Sequence, residues 1–407
     1  MAKRSWLGLC IFHFVVVAML GALLRSKILF SIPFIDYNRL LDAHHHFAFG
    51  AWAGLSLMVL LVYEILPQPV HQRPIYQYLF FAIAILSWVT LLLFPLLQNN
   101  LLSDILYTLF IMVTYLFSWI FLIDLRKSMV NRTVFLLSAV GVVCMVLSSL
   151  GIFGLAYLFA THSRDPYMYR DALYTYLHFQ YNGFFTLSIF AIMLNPFGPE
   201  LKAEVRNKLY RFAVLLCLSI LPSLFLSYLW QDPGPVFWVV ASGGGILLFL
   251  SLLAFLPTIK YVLQAMKTIP RISRNLFLLS IAAFLLKILL QSLMVFGPID
   301  RAVFGDRPVI IGFLHLVFLV FLTISLFAYF IQIKVLSNNR FSSASLCLLC
   351  FFIIANELVL MLQGLGAMFI LSSYSFPWML WITSIGLFLS ALLTATAFVR
   401  SEKAPSE

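Results

Sequence analysis

Runs of roughly 20 apolar residues follow one another along the whole chain, and runs of that length leave little choice of fold. In a bilayer every backbone N–H and C=O must find a partner within the protein, so only helices or a closed barrel can cross. The runs here are continuous, without the polar alternation of barrel strands, and they read as helices. With 63% hydrophobic and 10% charged residues in 407, the chain has no room for a separate soluble domain. The expectation is an all-α polytopic membrane protein, one transmembrane domain over 1–407, with about twelve spans near 6–31, 42–66, 75–97, 101–123, 133–160, 171–195, 208–230, 235–257, 275–297, 308–333, 342–371 and 376–399. Turn chemistry marks the breaks, as at Pro67-Gln68-Pro69, Asp232-Pro233-Gly234-Pro235 and Ser337-Asn338-Asn339. The basic, then apolar stretch at Met1–Leu24 lacks a small-x-small cleavage site before Arg25 and is read as a retained first span.

The net charge of +11 comes from Lys and Arg in short loops. Such basicity sets orientation and does not indicate nucleic acid as a partner. An even number of spans puts both termini on one side. That side collects 18 of the 26 basic residues, the other side 7, and Lys287 falls within a span. The positive-inside rule therefore predicts a multi-pass protein of the cell inner (plasma) membrane with both termini cytoplasmic.

Within this frame the histidines stand out. Asp42-Ala43-His44-His45-His46-Phe47-Ala48-Phe49-Gly50 opens span 2. His178 lies about seven residues into span 6 and His315 about seven into span 10, which is ~10 Å below the outer edge at 1.5 Å per residue. Spans 2, 6 and 10 all run inward, so histidines from three helices fall at one depth. An imidazole inside a bilayer needs a partner and is a functional candidate by default. Consecutive helix positions differ by about 100°, so His44, His45 and His46 cannot all face one ligand. Haem iron, copper and zinc all accept a neutral imidazole, and the residue type alone does not choose among them.

The pattern resembles the main subunit of haem-copper oxidases and nitric oxide reductases, in which spans 2, 6 and 10 carry the metal ligands. Tyr37-Asn38-Arg39-Leu40 with His44-His45-His46-Phe47-Ala48-Phe49-Gly50 resembles the segment of span 2, Ile311-Gly312-Phe313-Leu314-His315-Leu316 that of span 10, and Tyr176-Leu177-His178-Phe179-Gln180-Tyr181-Asn182-Gly183 takes the place of span 6. The short length and the His-Phe-x-Phe-Gly pattern also resemble NnrS-type proteins of the nitric oxide response. The resemblance implies a haem b between one of His44, His45 and His46 and His315, with His178 as a third metal ligand for which copper is a candidate. On the outer face, His162-Ser163-Arg164-Asp165 with Arg170 is read as a solvated loop or a contact for haem propionates or an electron-donor protein. Span 7 departs from the family: it holds no histidine, only Cys217 and Pro222, so the usual copper centre lacks its further pair. Tyr181 follows His178 by three residues, where the oxidase tyrosine follows its histidine by four. Proton-pumping oxygen reduction is therefore not expected. A six-coordinate bis-histidine haem would transfer electrons, and one with an open side would bind a gas.

Other polar groups sit in the apolar runs. Lys287 and Gln291 share a face of span 9, and Asn356 and Glu357 lie midway along span 11. Lys287 and Glu357 are expected to form a buried ion pair or, with Tyr181, part of a proton path. Asp42 and Asp171 are read as helix N-terminal caps. Cys347-x-x-Cys350, without a flanking histidine, is read as core packing, and Gly243-Gly244-Gly245 as a close helix contact or a kink. The function expected is haem-linked redox chemistry or a response to nitric oxide or oxygen. Its rivals are a secondary transporter, which should show two related halves, and a metal-free relative serving as a partner subunit.

Overall fold

The computed structural model describes residues 1–93, 101–197, 201–296, 307–368 and 373–403. Twelve helices among them are long and apolar enough to cross a membrane. They are α1 (Lys3–Leu29), α2 (Tyr37–Ile65), α3 (Pro74–Leu93), α4 (Leu101–Lys127), α5 (Arg132–Ala160) and α6 (Pro166–Leu194). The second half comprises α7 (Ala203–Gln231), α8 (Pro235–Thr268), α9 (Arg271–Leu293), α10 (Arg307–Gln332), α11 (Arg340–Met368) and α12 (Ser375–Lys403). No strand occurs among the described residues. The chain is thus an all-α, multi-pass membrane protein.

Two helices begin a turn earlier than their apolar runs. Asp36 caps α2 by accepting from the Arg39 amide, and Asp165 caps α6 by accepting from the Tyr167 and Met168 amides. The carboxylates satisfy amides that no helical carbonyl reaches. Asp42 and Asp171, expected as caps, lie inside their helices instead, and Asp171 accepts from Gln231 at 2.6 Å.

Consecutive helices pack side by side around a ring, and the ring closes where α12 lies against α1. Arg4 sits over the Phe398 ring, and Ser401 accepts from the Ser337 amide, so both termini share one end of the bundle. Inside the ring stand α2, α6 and α10. They meet at three aromatic side chains: Phe49 lies 5.1 Å from Tyr181 and 5.5 Å from Phe318, and Tyr181 lies 6.2 Å from Phe318, centroid to centroid. Each of the three follows a histidine by three residues: His46, His178 and His315. In each inner helix a π-helical stretch starts at or just after that histidine, at Ala48–Gly54, Phe179–Phe185 and Leu316–Thr323. The inner helices thus recur as every fourth in chain order, each with a π-helical stretch beside its histidine.

The wide π turns free carbonyls for other donors. The Ala51 carbonyl accepts from His13 Nδ1 at 2.9 Å, and His13 Nε2 accepts from Trp88 at 3.0 Å. His13 is thereby a fully satisfied core residue joining α1, α2 and α3. Trp52 donates to Thr323 at 3.1 Å and ties α2 to α10.

Lipid tails offer helices little hydrophobic reason to associate, so close backbone approach matters. A Cβ at Gly244 would meet the Pro222–Ser223 backbone of α7, so the triplet serves the close contact read from the sequence. Cys347 is exposed on the bundle surface and Cys350 is half-buried, which corrects the reading of that pair as core packing.

At the terminal end two carboxylates fasten the ring. Glu64 accepts from Lys3 at 2.7 Å and from the Tyr329 hydroxyl at 2.9 Å, joining α1, α2 and α10. Asp124 is buried and accepts from Arg73 at 2.7 Å and from Tyr76 at 2.8 Å. Asp124→Ala strands the Tyr76 hydroxyl and a guanidinium together, and is expected to cost about 1.5–3 kcal/mol. Thermal unfolding in detergent should show that loss, with Asp124→Asn intermediate.

Candidate functional site

At the end opposite the termini the inner helices are loosely held. No residue of Arg307–His315 is buried, and within Pro166–His178 only His178 is. From Val317 and Phe179 onward both helices are almost wholly buried, as is α2 from Phe47. The three histidines stand where the almost wholly buried part of the inner helices begins. The common level read from the sequence is present. The directions differ: because Phe49, Tyr181 and Phe318 point to the axis, the histidines one turn earlier are rotated off it, each toward its own compartment.

The compartment between α10, α11, α12, α1 and α2 holds most of the predicted site. His315 Nδ1 lies 3.4 Å from the Asn356 amide nitrogen and 3.9 Å from a Glu357 carboxylate oxygen, a neighbour that favours the ring proton on Nδ1 and leaves the lone pair on Nε2. Asn356 also donates to Glu357 at 3.1 Å, and Thr383 of α12 reaches Asn356 at 3.5 Å. These neighbours stand at one nitrogen of the ring. The other, Nε2, has no hydrogen-bond partner among the described residues, and the side chain is 31% exposed. His44 and His45 of α2 lie within electrostatic reach of His315. Their rings are 5.7 Å apart, His45 exposed and His44 half-buried. His44 Nδ1 is buried without any hydrogen bond. Arg25 of α1 acts electrostatically on both His44 and His315, and Arg307 at the start of α10 on His45.

Two glycines border this compartment: a Cβ on Gly21 would meet the His44 ring at 3.5 Å and one on Gly312, a turn before His315, would meet Leu360 at 3.6 Å, both ordinary contact distances. The compartment thus brings together the imidazoles of His44 and His45 on α2, His315 on α10 with Nε2 free among the described residues, and two guanidinium groups. That donor set fits a flat ligand carrying a metal at its centre and acidic groups at its edge. Haem needs only two axial donors, one from each of these helices.

His46 belongs elsewhere. Its Nε2 meets the Tyr107 hydroxyl of α4, in the compartment between α2 and α6. Tyr107 carried no signal in the sequence, because a tyrosine in an apolar run looks like packing until its partner is known.

His178 is held at both nitrogens. Nε2 donates to the Ile220 carbonyl of α7 at 2.7 Å, and Nδ1 accepts from Asn182 at 2.9 Å. In this arrangement neither nitrogen has a lone pair for a metal. No group of three or more His, Cys, Asp or Glu able to hold a metal ion occurs among the described residues.

The expected pairing of Lys287 with Glu357 is not formed. Lys287 is buried on α9 near His178, with its ammonium 6.0 Å from the Phe284 ring, whereas Glu357 belongs to the His315 compartment. Tyr181 sits at the central axis, between Phe49 and Phe318. The three residues read as an ion pair or proton path are therefore in three different places, because α9 and α11 border different compartments.

Comparison with protein-family models finds no match for the chain, and comparison with curated proteins finds none either.

Proposed function

We propose that the chain is an integral membrane haem protein, with haem b clasped between His315 and His44 or His45, serving redox chemistry of nitric oxide or oxygen. The observation that carries this reading is that His44 and His45 of α2 and His315 of α10 lie within electrostatic reach of one another, with Arg25 and Arg307 acting on the same three side chains and His315 Nε2 free of hydrogen-bond partners among the described residues. Haem would supply one-electron chemistry there. His315 and the α2 histidine would bind it, the arginines would meet its acidic edge, and Glu357 beside His315 Nδ1 would favour the tautomer that leaves Nε2 free. Orienting partners of this kind fix the tautomer and raise the basicity of a ligating imidazole. Copper is not part of the proposal, since His178 has both nitrogens engaged.

The positive-inside rule assigns the terminal end to the cytoplasm and the His315 compartment to the outer face. An electron-donor protein would then approach from outside. The recurrence of a histidine-bearing inner helix at every fourth span favours this reading over a transporter, whose halves should repeat over six.

An absorption spectrum of the purified protein tests the reading. A Soret band with bis-histidine character is the expected result, and a colourless protein after expression with ample haem would sink it. Glu357→Gln carries a second expectation. Removing the negative charge near Nδ1 makes His315 a poorer electron donor, so the midpoint potential rises while the band is kept, and haem affinity falls by about 10–100-fold. A potential identical to that of the unchanged protein would deny Glu357 its orienting role.

A further inference from the structure

The compartment between α2, α3, α4, α5 and α6 contains a cavity of about 80 Å³. It reaches from the level of His46 to that of Met58 on α2, twelve residues or roughly 18 Å along the helix. No Lys, Arg, Asp or Glu lines it. Phe49, Phe110 and Phe184 supply apolar wall, and hydroxyl and amide groups supply the rest.

His46, Tyr107 and Tyr176 also line the cavity, and among its serine and threonine hydroxyls the polar groups are lopsided. Thr90 donates to the Leu86 carbonyl, Thr114 to Ile111, Ser148 to Met145 and Ser149 to Val146. With their protons committed to their own helices, these hydroxyls keep only lone pairs for an occupant. Gln180 uses its amide N–H on Ser148 at 2.9 Å, and its carbonyl oxygen has no hydrogen-bond donor among the described residues. Ser87, 3% exposed, lines the cavity with its hydroxyl buried and without any partner. Gly50 preserves the space in front of it: a Cβ there would stand 2.9 Å from the Phe110 ring and 3.1 Å from Ser87 Oγ.

From this wall we infer that the cavity is a binding site for a small, uncharged hydrogen-bond donor, the class of small amides and alcohols. An ion would be buried without a countercharge. A purely apolar guest would leave Ser87 and Gln180 unpaired. A small donor with a short apolar body satisfies both surfaces at once. The site is separate from the His315 compartment and stands or falls independently of haem.

Protection of an introduced thiol tests it. In full-length Thr114→Cys, methyl methanethiosulfonate should label the new thiol on the cavity wall. Acetamide should slow that labelling, whereas N,N-dimethylacetamide, which has no N–H to donate, should not. Adding Ser87→Ala should weaken the protection about fivefold, the equivalent of one hydrogen bond. The unsubstituted protein supplies a second reading: acetamide should raise its Tm above that in equal N,N-dimethylacetamide. Equal effects of the two amides, or no protection by either, would show a cavity that holds water only and overturn the assignment. Absence of labelling together with equal Tm values would show a site closed to solutes, and would overturn it as well.

Discussion

His315→Ala is expected to abolish the Soret band of the purified protein. An outer partner of a ligating histidine already contributes about 10–100-fold to metal affinity, and loss of the ligand itself must cost more. The geometry makes this variant more informative than any in α2. His315 is the one histidine of α10, with Asn356 and Glu357 beside Nδ1 and no partner at Nε2 among the described residues. On α2, His44 and His45 both lie near it, so either single variant leaves a neighbour to substitute. His44→Ala with His45→Ala should reproduce the His315→Ala spectrum. His46→Ala, in another compartment, should leave the band intact. A His46→Ala protein without the band beside a His315→Ala protein that keeps it would reverse the assignment.

Gly151→Ala is expected to be among the most damaging single-atom additions in the molecule. A Cβ at Gly151 would run into the Ala172 carbonyl and stand 2.5 Å from the Tyr176 amide nitrogen, both backbone atoms of α6. Backbone cannot rotate away as a side chain can, so α5 and α6 must separate along the segment that leads to His178. Overpacking of this kind costs about 1–3 kcal/mol, and rigid backbone contact places the site at or beyond the upper end. Gly243→Ala is the control. Nothing lies within 4 Å of a Cβ there, and removing glycine from a helix interior is expected to gain about 0.5–1 kcal/mol. Thermal unfolding of the pair in one detergent should move in opposite directions. A Gly151→Ala protein as stable as the parent would mean that α5 and α6 do not approach as closely as described.

The bundle was legible because its signal is local and strong: about 20 apolar residues in a row have one use. The depth of His44–His46, His178 and His315 was legible for the same reason, since rise per residue converts position in a span into position in the bilayer. Facing was not legible. His46 and His44 are two residues apart yet serve different compartments, and a rotation of about 100° per residue decides which. The caps at Asp36 and Asp165 were missed because they precede the apolar onset by a turn. Lys287 and Glu357 fall at similar depth, but depth is one coordinate of three, and the ring order of α9 and α11 keeps them apart.

Sequence by itself determined how many times the chain crosses, that it does so as helices, and which polar side chains are taken into the membrane, because each of these follows from composition over a window of one span. Tertiary structure alone decided which imidazoles share a compartment, which nitrogen of each is already engaged, and that a polar cavity remains between α2 and α6. Those properties depend on the rotation and neighbours of each helix, which are set by contacts between residues hundreds of positions apart.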